Sequence, residues 1–460
     1  MSLRAAPPPG AANTARPPRA DLVTAGAALG LIALACAVAG GLYLVGRPVH
    51  ASTGPFSATW LPHLGPGTPL AIAVAALVVW RGPGLAATLG WRRLLAASYA
   101  SAAAWIVSLA LVDGWQRGLA GRLTTPYEYL SEVGGVTDIP AMLRGFSSRI
   151  LDFQPDSWTT HVSGHPPGAF LVFVVLDRVG LGGGAWAAVA CVATGALIAV
   201  AVPVTVRALG DEAAARAAVP FLVLFPGAVW IGASADGMFA GVTATGLALL
   251  AVAVTRRNPA AGLGAGLLLA FGLYLSYGLT LIAVPALAVI LLARPVPWRT
   301  VGAALGAGAA VVAAFTLAGF WWLDGYHLVV VRYYQGIASA RPYAYWVWAD
   351  LALVVACAGP AAAVTLRRAL LDVGSAALPR RARPLADLGP TVMLPCAALL
   401  AILAADLSGL SKAEVERIWL PFAAWLPAGA ALLPPPTRRF WLVVQATVAL
   451  LVNHLLLTTW

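Results

Sequence analysis

The sequence predicts an all-α protein that crosses a membrane many times. Of its 460 residues, 60% are hydrophobic and only 10% are charged, which is more apolar surface than a soluble fold can bury. Apolar runs of about 15 to 23 residues recur along the chain, and such runs suit a hydrocarbon core roughly 30 Å thick. The N-terminal stretch lacks the apolar region of a cleavable signal peptide, so we expect the first apolar run to be a retained helix.

The hydropathy pattern predicts thirteen transmembrane segments. They cover residues 22–45, 66–80, 94–112, 185–206, 213–233, 237–254, 260–276, 278–293, 301–323, 346–365, 388–405, 418–433 and 440–457. Residues 1–21 are rich in Pro, Ala and Arg and are expected to form a disordered cytoplasmic tail. All four cysteines fall within apolar runs, so we expect small buried side chains and not metal ligands.

The distribution of basic residues indicates which connections face the cytoplasm. With the N-terminus inside, the inner segments hold 19 of the 29 basic residues and 5 of the 18 acidic ones. Cytoplasmic loops of membrane proteins are enriched in Lys and Arg, so this pattern predicts a cytoplasmic N-terminus and an outer C-terminus in the cell membrane. The same pattern accounts for the net charge of +11 without a nucleic-acid partner.

One apolar segment, residues 167–181, must stay on the outer side for this pattern to hold. It is short and carries two charged residues near its end. We interpret it as a re-entrant or interfacial segment. The alternative is that it crosses the membrane fully and that the assignment of another segment is wrong. The stretch before it, HVSGHPPGAF, then lies at the outer membrane surface, and its proline pair suits the first turn of a helix.

The longest outer connection covers residues 113–166, and long structured loops are usually functional. Apolar residues within it recur at the spacing of one helical face: Ile139, Leu143, Phe146, Ile150 and Phe153. Thr137 or Asp138 is suited to cap this helix, and Pro140 fits its first turn. We expect an amphipathic helix lying flat on the membrane, an arrangement that also allows packing against the bundle.

The order of these elements resembles the layout of the GT-C glycosyltransferases. A membrane helix ends in Asp113 (LALVDGWQRG), a long outer loop follows, and His165-Pro166-Pro167 (SGHPPG) opens the next apolar run. Asp236 in GASADGMF and the outer stretch SKAEVERIWLPF, residues 411–422, are further matches. Protein mannosyltransferases and aminoarabinose transferases of this superfamily carry similar elements and use polyprenyl-phosphate sugars. The resemblance covers residues 94–435, with two additional helices before it (22–93) and one C-terminal helix after it (436–460).

The resemblance implies an inverting hexosyl- or pentosyltransferase that works on the outer face of the cell membrane. It would move a sugar from a polyprenyl-phosphate donor to a cell-envelope acceptor, which is a glycan, a lipid or a protein. Asp113 would act as the catalytic base, with Asp138 in reserve; the alternative for Asp113 is a solvated residue at a helix end. His165 would contact the donor phosphate or join a metal site with His161, although an ordinary surface histidine is the preferred interpretation of His161.

Candidates for holding the donor phosphate lie in two later outer segments. Arg341 lies in the aromatic-rich stretch YYQGIASARPYAYWVW, and Lys412, the only lysine, shares a short loop with Arg417. Glu414 and Glu416 would orient these cations. An interfacial aromatic belt and an ordinary charged loop are the alternatives. Asp236 interrupts an apolar stretch and is either a site residue or a helix cap.

Metal dependence stays open at the level of sequence. No DxD motif is present, and Gly114 follows Asp113 where many relatives of the resembled superfamily have a second acidic residue. No metal ligands are therefore assigned, although a divalent metal is not excluded. The Ala-, Arg- and Pro-rich, lysine-poor composition suggests a GC-rich bacterial genome.

Two other functions compete with the enzyme. A transporter or flippase of a lipid-linked glycan would line a path through the bilayer with charges, and a non-catalytic envelope-assembly subunit would tolerate loss of Asp113. The apolar runs mostly lack charges at their centres, which favours the enzyme.

Overall fold

The computed structural model describes residues 16–232, 234–377 and 384–459 and confirms an all-α polytopic membrane fold. Seven helices in the described residues are long and apolar enough to cross a membrane, or eight if one bent pair forms a single span. They pack around a shared core of buried apolar side chains. Many large apolar side chains remain exposed on the outside of the bundle, where a lipid surrounding would cover them.

The α-helices of the described residues are, in chain order, α1 (Arg19–Leu44), α2 (Thr68–Thr88), α3 (Trp91–Ala110), α4 (Leu130–Val133), α5 (Ile139–Gly145), α6 (Thr160–Gly164), α7 (Pro167–Arg178), α8 (Gly184–Gly195), α9 (Ile198–Ala208), α10 (Glu212–Val223), α11 (Ala228–Ile231), α12 (Ala235–Arg256), α13 (Pro259–Leu275), α14 (Ala283–Leu292), α15 (Trp298–Leu317), α16 (Trp322–Gln335), α17 (Tyr343–Ala358), α18 (Pro360–Ala376), α19 (Pro390–Ser408), α20 (Val415–Ile418), α21 (Leu420–Ala423) and α22 (Arg438–Leu455). Short 3₁₀ or π turns occupy Leu111–Asp113, Gln116–Ala120, Arg122–Thr124, Ser147–Arg149, Tyr277–Ile282, Ile337–Ser339, Leu385–Leu388, Leu426–Leu432 and Pro435–Thr437. Two short strands, β1 (Ala58–Trp60) and β2 (Leu456–Thr458), pair antiparallel.

Seven of the predicted membrane segments coincide with long apolar helices, namely α1, α2, α3, α8 with α9, α12, α15 and α19. The predicted segment 346–365 is instead split at Gly359 into α17 and α18, whose axes differ by 109°. Gly359 has a φ of +86°, a conformation that strains a residue with a Cβ, and Pro360 then begins α18. The remaining predicted segments are shorter, interrupted or less apolar helices, so the count of thirteen stays a prediction.

Contacts between distant segments join residues that the sequence assigned to the same side of the membrane. On the predicted inner side, Asp21 pairs with Arg367 and Arg368 at 2.6 and 2.7 Å. On the predicted outer side, the guanidinium of Arg122 donates to the carbonyl of Thr458 at 2.6 Å. Two residues can meet on one side of a membrane only if the chain crosses it an even number of times between them. The predicted segments meet this condition for both pairings. Which side faces the cytoplasm stays a prediction.

Part of the predicted cytoplasmic side lies outside the described residues. This applies to residues 1–15 of the predicted tail and to the inner basic residues Arg4, Arg380, Arg381 and Arg383. The end of the predicted tail is not disordered, because α1 already begins at Arg19. Its buried Asp21 explains the early start, since this carboxylate pairs with α18 and lies in the first helical turn, where negative charge is favourable.

The predicted amphipathic helix of the outer loop is α5, which continues as a 3₁₀ turn. Asp138 caps it, because its carboxylate accepts a hydrogen bond from the Ala141 N–H at 3.1 Å. Three residues of the predicted apolar face are buried in the protein, namely Leu143, Phe146 and Ile150, whereas Phe153 is exposed. The apolar face of α5 therefore packs against the bundle at these three residues, which the expectation of a helix on the membrane surface allowed.

Helix α7 corresponds to the apolar segment 167–181 and begins within HVSGHPPGAF. Its 12 residues rise about 18 Å, well short of a bilayer core, which agrees with a segment that does not cross. Its first turn lies against the end of α13: a Cβ on Gly168 would meet the Tyr274 carbonyl oxygen at 2.6 Å. This close approach fixes the position of His165, just ahead of α7.

Candidate functional site

The loop between α19 and α20 has an unusual backbone conformation. Ala413 and Glu414 have φ values of +69° and +62°, a region that residues with a Cβ rarely adopt. Two hydrogen bonds hold the loop: the Lys412 N–H donates to the Tyr333 hydroxyl at 2.8 Å, and the Ala413 N–H donates to Asp350 Oδ1 at 3.1 Å. Backbone strain of this kind persists where surrounding contacts fix it, and it is concentrated at functional sites.

Arg417 follows this loop and contacts polar side chains from three chain segments. Its Nη1 donates to Asp236 Oδ2 at 2.6 Å, and its Nη2 approaches Glu414 Oε2 at 2.8 Å and His161 Nε2 at 3.3 Å. Arg417 and Asp236 are both buried. Burial alone would lower the pKa of Arg417, but the charges of Asp236 and Glu414 outweigh it and raise that pKa. The guanidinium is therefore held charged inside the protein.

Glu414 links Arg417 to a second buried cation. Arg341 Nη2 donates to Glu414 Oε1 at 2.9 Å, and Arg341 Nη1 donates to the Lys412 carbonyl at 2.7 Å. Burial would raise the pKa of Glu414, but the charges of Arg417 and Arg341 outweigh it and lower that pKa to about 2. Lys412 Nζ donates to the carbonyls of Ala338 and Arg341 at 2.6 and 3.1 Å. The outer charge network comprises His161, Asp236, Arg341, Lys412, Glu414 and Arg417.

His161 is a neutral member of this network. Its Nδ1 lies 2.9 Å from the Tyr127 carbonyl, which can only accept, so Nδ1 carries the proton. Its Nε2 faces the Arg417 guanidinium, which can only donate, so Nε2 carries a lone pair. Burial and the charge of Arg417 lower the pKa of His161 to about 3, in agreement with these bonds. His161 is only 6% exposed, so the expectation of a surface histidine is wrong.

His165 packs beside the network among aromatic rings. Its ring is nearly parallel to that of His161, with centroids 6.4 Å apart, and lies 5.8 Å from Tyr129 and 5.6 Å from Phe239. His165 Nδ1 lies 2.9 Å from the carbonyl of His161, so this nitrogen donates. The residue is half-buried, and burial lowers the pKa of its ring.

Two buried carboxyl groups border the network, and each has an oxygen without a hydrogen-bond partner among the described residues. They are Glu128, whose Oε1 lies 3.5 Å from His161 Nδ1, and Glu416. Burial raises the pKa of Glu128 to about 7 and that of Glu416 to about 8. Burial therefore shifts the pKa of each group toward neutral pH. Sequence reasoning missed Glu128, because nothing in the loop sequence TTPYEYLSEV distinguishes it from an exposed glutamate.

Asp113, the predicted base, belongs to a separate polar cluster. His63 Nε2 bonds Asp113 Oδ1 at 2.7 Å, and Arg122 Nη2 bonds Asp113 Oδ2 at 2.9 Å. Arg122 also binds the carbonyl of Thr458, so the cluster ties the end of α3 to β2. In the described parts of the chain, no hydrogen bond or ion pair connects Asp113 to the outer charge network.

The charges of the network favour an anionic ligand. Three cations, Arg341, Lys412 and Arg417, face the carboxylates of Asp236 and Glu414, so the network carries one net positive charge while its histidine is neutral. A phosphate would be attracted to such a site. Within residues 16–232, 234–377 and 384–459, no group of three or more His, Cys, Asp or Glu is arranged to hold a metal ion.

Comparison with solved structures finds an oligosaccharyltransferase of Archaeoglobus fulgidus, solved in a complex with Zn and sulfate. It is 14% identical, with a TM-score of 0.43 over 77% of this chain and 53% of that chain. The same oligosaccharyltransferase, tethered to an acceptor peptide containing the NVT sequon, matches at 13% identity and a TM-score of 0.43, over 79% and 54% of the two chains. This chain thus spans about half the length of these proteins. No family profile and no curated protein matches the sequence.

Most of the predicted site residues lie together in the structure. The outer charge network contains Asp236, Arg341, Lys412, Glu414 and Arg417 from the predicted set. The ring of His165 packs against that of His161, which belongs to the network. Glu416 lies directly before Arg417 in the chain, and its carboxyl group is buried. Asp113 stands apart. Several partners were missed, because they lie far away in sequence: His63, Arg122, Glu128, Tyr333 and Asp350.

Proposed function

We propose that this protein is a membrane glycosyltransferase that transfers a sugar from a polyprenyl-phosphate donor to an acceptor of the cell envelope. The observation that carries the proposal is the outer charge network. Cations and carboxylates from distant outer segments converge at one end of a bundle of apolar helices. Ionisable groups are costly at such a position, so a cluster of them is a functional site by default. The GT-C-like order of the sequence motifs agrees with this function.

The location of the network supports a lipid-linked donor. The network lies on the side that the charge distribution assigns to the exterior, and nucleotide sugars are confined to the cytoplasm. A sugar transferase on the outer side therefore needs a donor carried by a membrane lipid. The apolar helices of the bundle would accommodate a polyprenyl chain, while the phosphate would meet the polar side chains of the network.

The cations of the network would stabilise the leaving phosphate. An ammonium group has three N–H donors, and Lys412 uses two of them on carbonyl oxygens, so one remains for a phosphate oxygen. Arg341 and Arg417 already bind Glu414, and a phosphate that used them would share them with this carboxylate. The carboxylates fix the direction of the guanidinium groups before the donor binds, which is the arrangement that favours catalysis.

The reaction also requires a proton acceptor, because the acceptor hydroxyl loses its proton as it attacks the anomeric carbon. Asp113 is the base implied by the sequence resemblance. Both of its oxygens receive hydrogen bonds, from His63 and from Arg122. A carboxylate held in this way is less free to take a further proton than an open acceptor, so the role of base is not fixed on Asp113.

The proposed function is tested by deleting the gene and profiling envelope glycans and glycolipids. The deletion strain is then complemented separately with the wild-type gene, with Asp138→Asn or with Asp236→Asn, each at the same level in the membrane. Asp138 only caps α5, whereas Asp236 belongs to the network. We expect deletion to remove a defined sugar, which wild type and Asp138→Asn restore and Asp236→Asn does not.

A transporter or flippase predicts a different outcome from the same strains. The glycan would then be missing because its lipid-linked precursor stays on the inner leaflet, and the sugar content of that precursor would be unchanged. An unaltered glycan profile after deletion would contradict the proposed function.

A further inference from the structure

His165 lies between α6 and α7 with its ring in one fixed orientation. Its Nδ1 is 2.9 Å from the carbonyl oxygen of His161, four residues earlier. A carbonyl oxygen accepts only, so Nδ1 must carry a proton and the neutral ring has its lone pair on Nε2. Pro166 and Pro167 follow immediately and restrict the backbone, which limits the freedom of the histidine.

The Nε2 atom of His165 has no hydrogen-bond partner among the described residues. The residue is half-buried, and Nε2 is not among the fully enclosed polar atoms that lack a partner, so part of its surface stays accessible. The rings of Tyr129 and Phe239 flank the imidazole at centroid distances of 5.8 and 5.6 Å. A lone pair is thus presented beside the outer charge network, on a ring that its neighbours hold in place.

Burial keeps the ring of His165 neutral near pH 7. Burial lowers the pKa of His165 and outweighs the opposite effect of the Asp236 carboxylate, and the Arg417 guanidinium lowers it further. Other titratable groups of the neighbouring elements are Glu128, Glu414, Tyr129 and His161. The neutral form is the one that accepts a proton.

The other candidate bases are less suitable. Arg417 occupies Nε2 of His161, and both oxygens of Asp113 are bonded to donors. Glu128 is only 4% exposed, so a hydroxyl of an incoming substrate cannot reach it without movement of the loop. Among these four residues, His165 combines an acceptor atom that has no described partner with a side chain that is only half-buried.

We propose that His165 Nε2 is the general base that takes the proton from the acceptor hydroxyl. This inference rests on the proposed function. The O–H bond of the acceptor breaks as the N–H bond forms on Nε2, and the acceptor oxygen bonds the anomeric carbon. The bond from that carbon to the phosphate oxygen breaks, and its electron pair leaves with the polyprenyl phosphate. The imidazolium then returns its proton to solvent.

This role differs from the one that the sequence assigned to His165. A phosphate oxygen binds hydrogen-bond donors, and Nε2 of the neutral ring is an acceptor. Two roles are thus assigned to different residues: the outer charge network binds the donor phosphate, and His165 takes the proton from the acceptor hydroxyl. The two assignments predict different effects of substitution on donor binding.

Two substitutions of His165 and one control test the proposal in the full-length protein in nanodiscs. In His165→Asn the side-chain amide can still donate to the His161 carbonyl, but no acceptor occupies the Nε2 position. His165→Gln extends an amide toward that position but provides no base. His327→Asn is the control, because His327 is exposed on α16 and its one described contact is with the ring of Tyr326.

Sugar transfer and binding of polyprenyl phosphate are measured for each variant between pH 5 and 9. Loss of a general base costs about 100-fold or more, so both His165 variants should lose transfer by that factor while binding stays within about twofold of wild type. Wild-type activity should fall with acid at a pH below 6.5, where the ring becomes protonated. A parallel loss of phosphate binding, or full activity in His165→Asn, would overturn the proposal.

A chemical probe separates failure of this inference from failure of the proposed function. Diethyl pyrocarbonate reacts with unprotonated, accessible imidazole nitrogens, so at pH 7 it should modify His165 and spare His161. Modification of His165 in a protein that transfers no sugar from any donor would refute the proposed function and, with it, the role of base. Absence of modification at His165, with transfer intact, would refute the base alone.

Discussion

Arg417 and Asp236 form a buried ion pair with a distance of 2.6 Å between Nη1 and Oδ2. The pair joins α20, which follows the strained loop, to the first turn of α12, a helix that is buried along most of its length. A carboxylate in the first turn also interacts favourably with the helix dipole. Arg417 is therefore anchored to the most enclosed part of the bundle, and this fixes the loop that carries Lys412 and Glu414.

Loss of Arg417 should destabilise the fold as well as the site. In Arg417→Met, the buried carboxylate of Asp236 loses its cation, and removal of one partner from a buried pair costs about 3–5 kcal/mol. We expect a lower melting temperature in thermal unfolding of the purified protein, whereas Arg144→Met, at an exposed position, leaves it unchanged. The double variant Arg417→Met/Asp236→Asn should regain part of the loss. Additive effects of the two substitutions would contradict the pairing.

Glu416 should make the protein less stable at alkaline pH. Burial raises its pKa from 4.5 to about 8, so the folded protein prefers the protonated form. The contribution of protonated Glu416 to the stability of the fold is fully present below pH 4.5 and is lost as the pH rises toward 8. Glu416→Gln cannot ionise, so its melting temperature should exceed that of wild type at pH 9 by more than at pH 5.

A second glutamate provides the control for this pH dependence. The side chain of Glu212 is 42% exposed, and its hydrogen bond to Arg216 lowers its pKa, so Glu212→Gln should bring no gain at pH 9. Equal gains at pH 9 for both variants would contradict the account of Glu416.

Two serines test the sidedness of the membrane. Ser339 lies in the turn after α16 on the predicted outer side, and Ser375 lies at the end of α18 on the predicted inner side; both are exposed. The four native cysteines are buried or half-buried. In intact cells a membrane-impermeant maleimide should label Ser339→Cys and should label Ser375→Cys only after permeabilisation. The reverse result would invert the orientation.

Asp113→Asn should have a smaller effect on catalysis than His165→Asn. Asparagine keeps the shape of the side chain but weakens the bonds to Arg122 and His63, which tie the end of α3 to β2. We expect a lower melting temperature and a loss of transfer of less than about tenfold, which is below the range for removal of a general base. A loss of about 100-fold at normal stability and donor binding would assign the base to Asp113.

The sequence predicted the features that depend on local pattern. Hydropathy located the long membrane helices, and the cap at Asp138 followed from residue type and spacing. The arginines also predict the side of each segment; this stays a prediction, although Asp21 and Arg368, assigned to the same side, do form a contact. Such features are predictable because they are determined by the hydrophobicity and capping preference of neighbouring residues.

Features that depend on distant contacts were not predictable from one sequence. His63 bonds Asp113 across 50 positions in the chain, and nothing near either residue indicates the other. Glu128 is unusual only because the fold buries it beside His161. The face of α5 was recognised as apolar, but whether lipid or protein covers such a face is a tertiary property.

The most direct test of the account is transfer of labelled sugar by the purified protein in nanodiscs. A panel of radiolabelled polyprenyl-phosphate hexoses and pentoses is supplied, with vesicles from the deletion strain as the source of acceptor. The account predicts that wild type moves the label from one donor to the vesicles and releases polyprenyl phosphate, with a loss of about 100-fold in His165→Asn. Binding or transbilayer movement of these donors without any release of polyprenyl phosphate would contradict it.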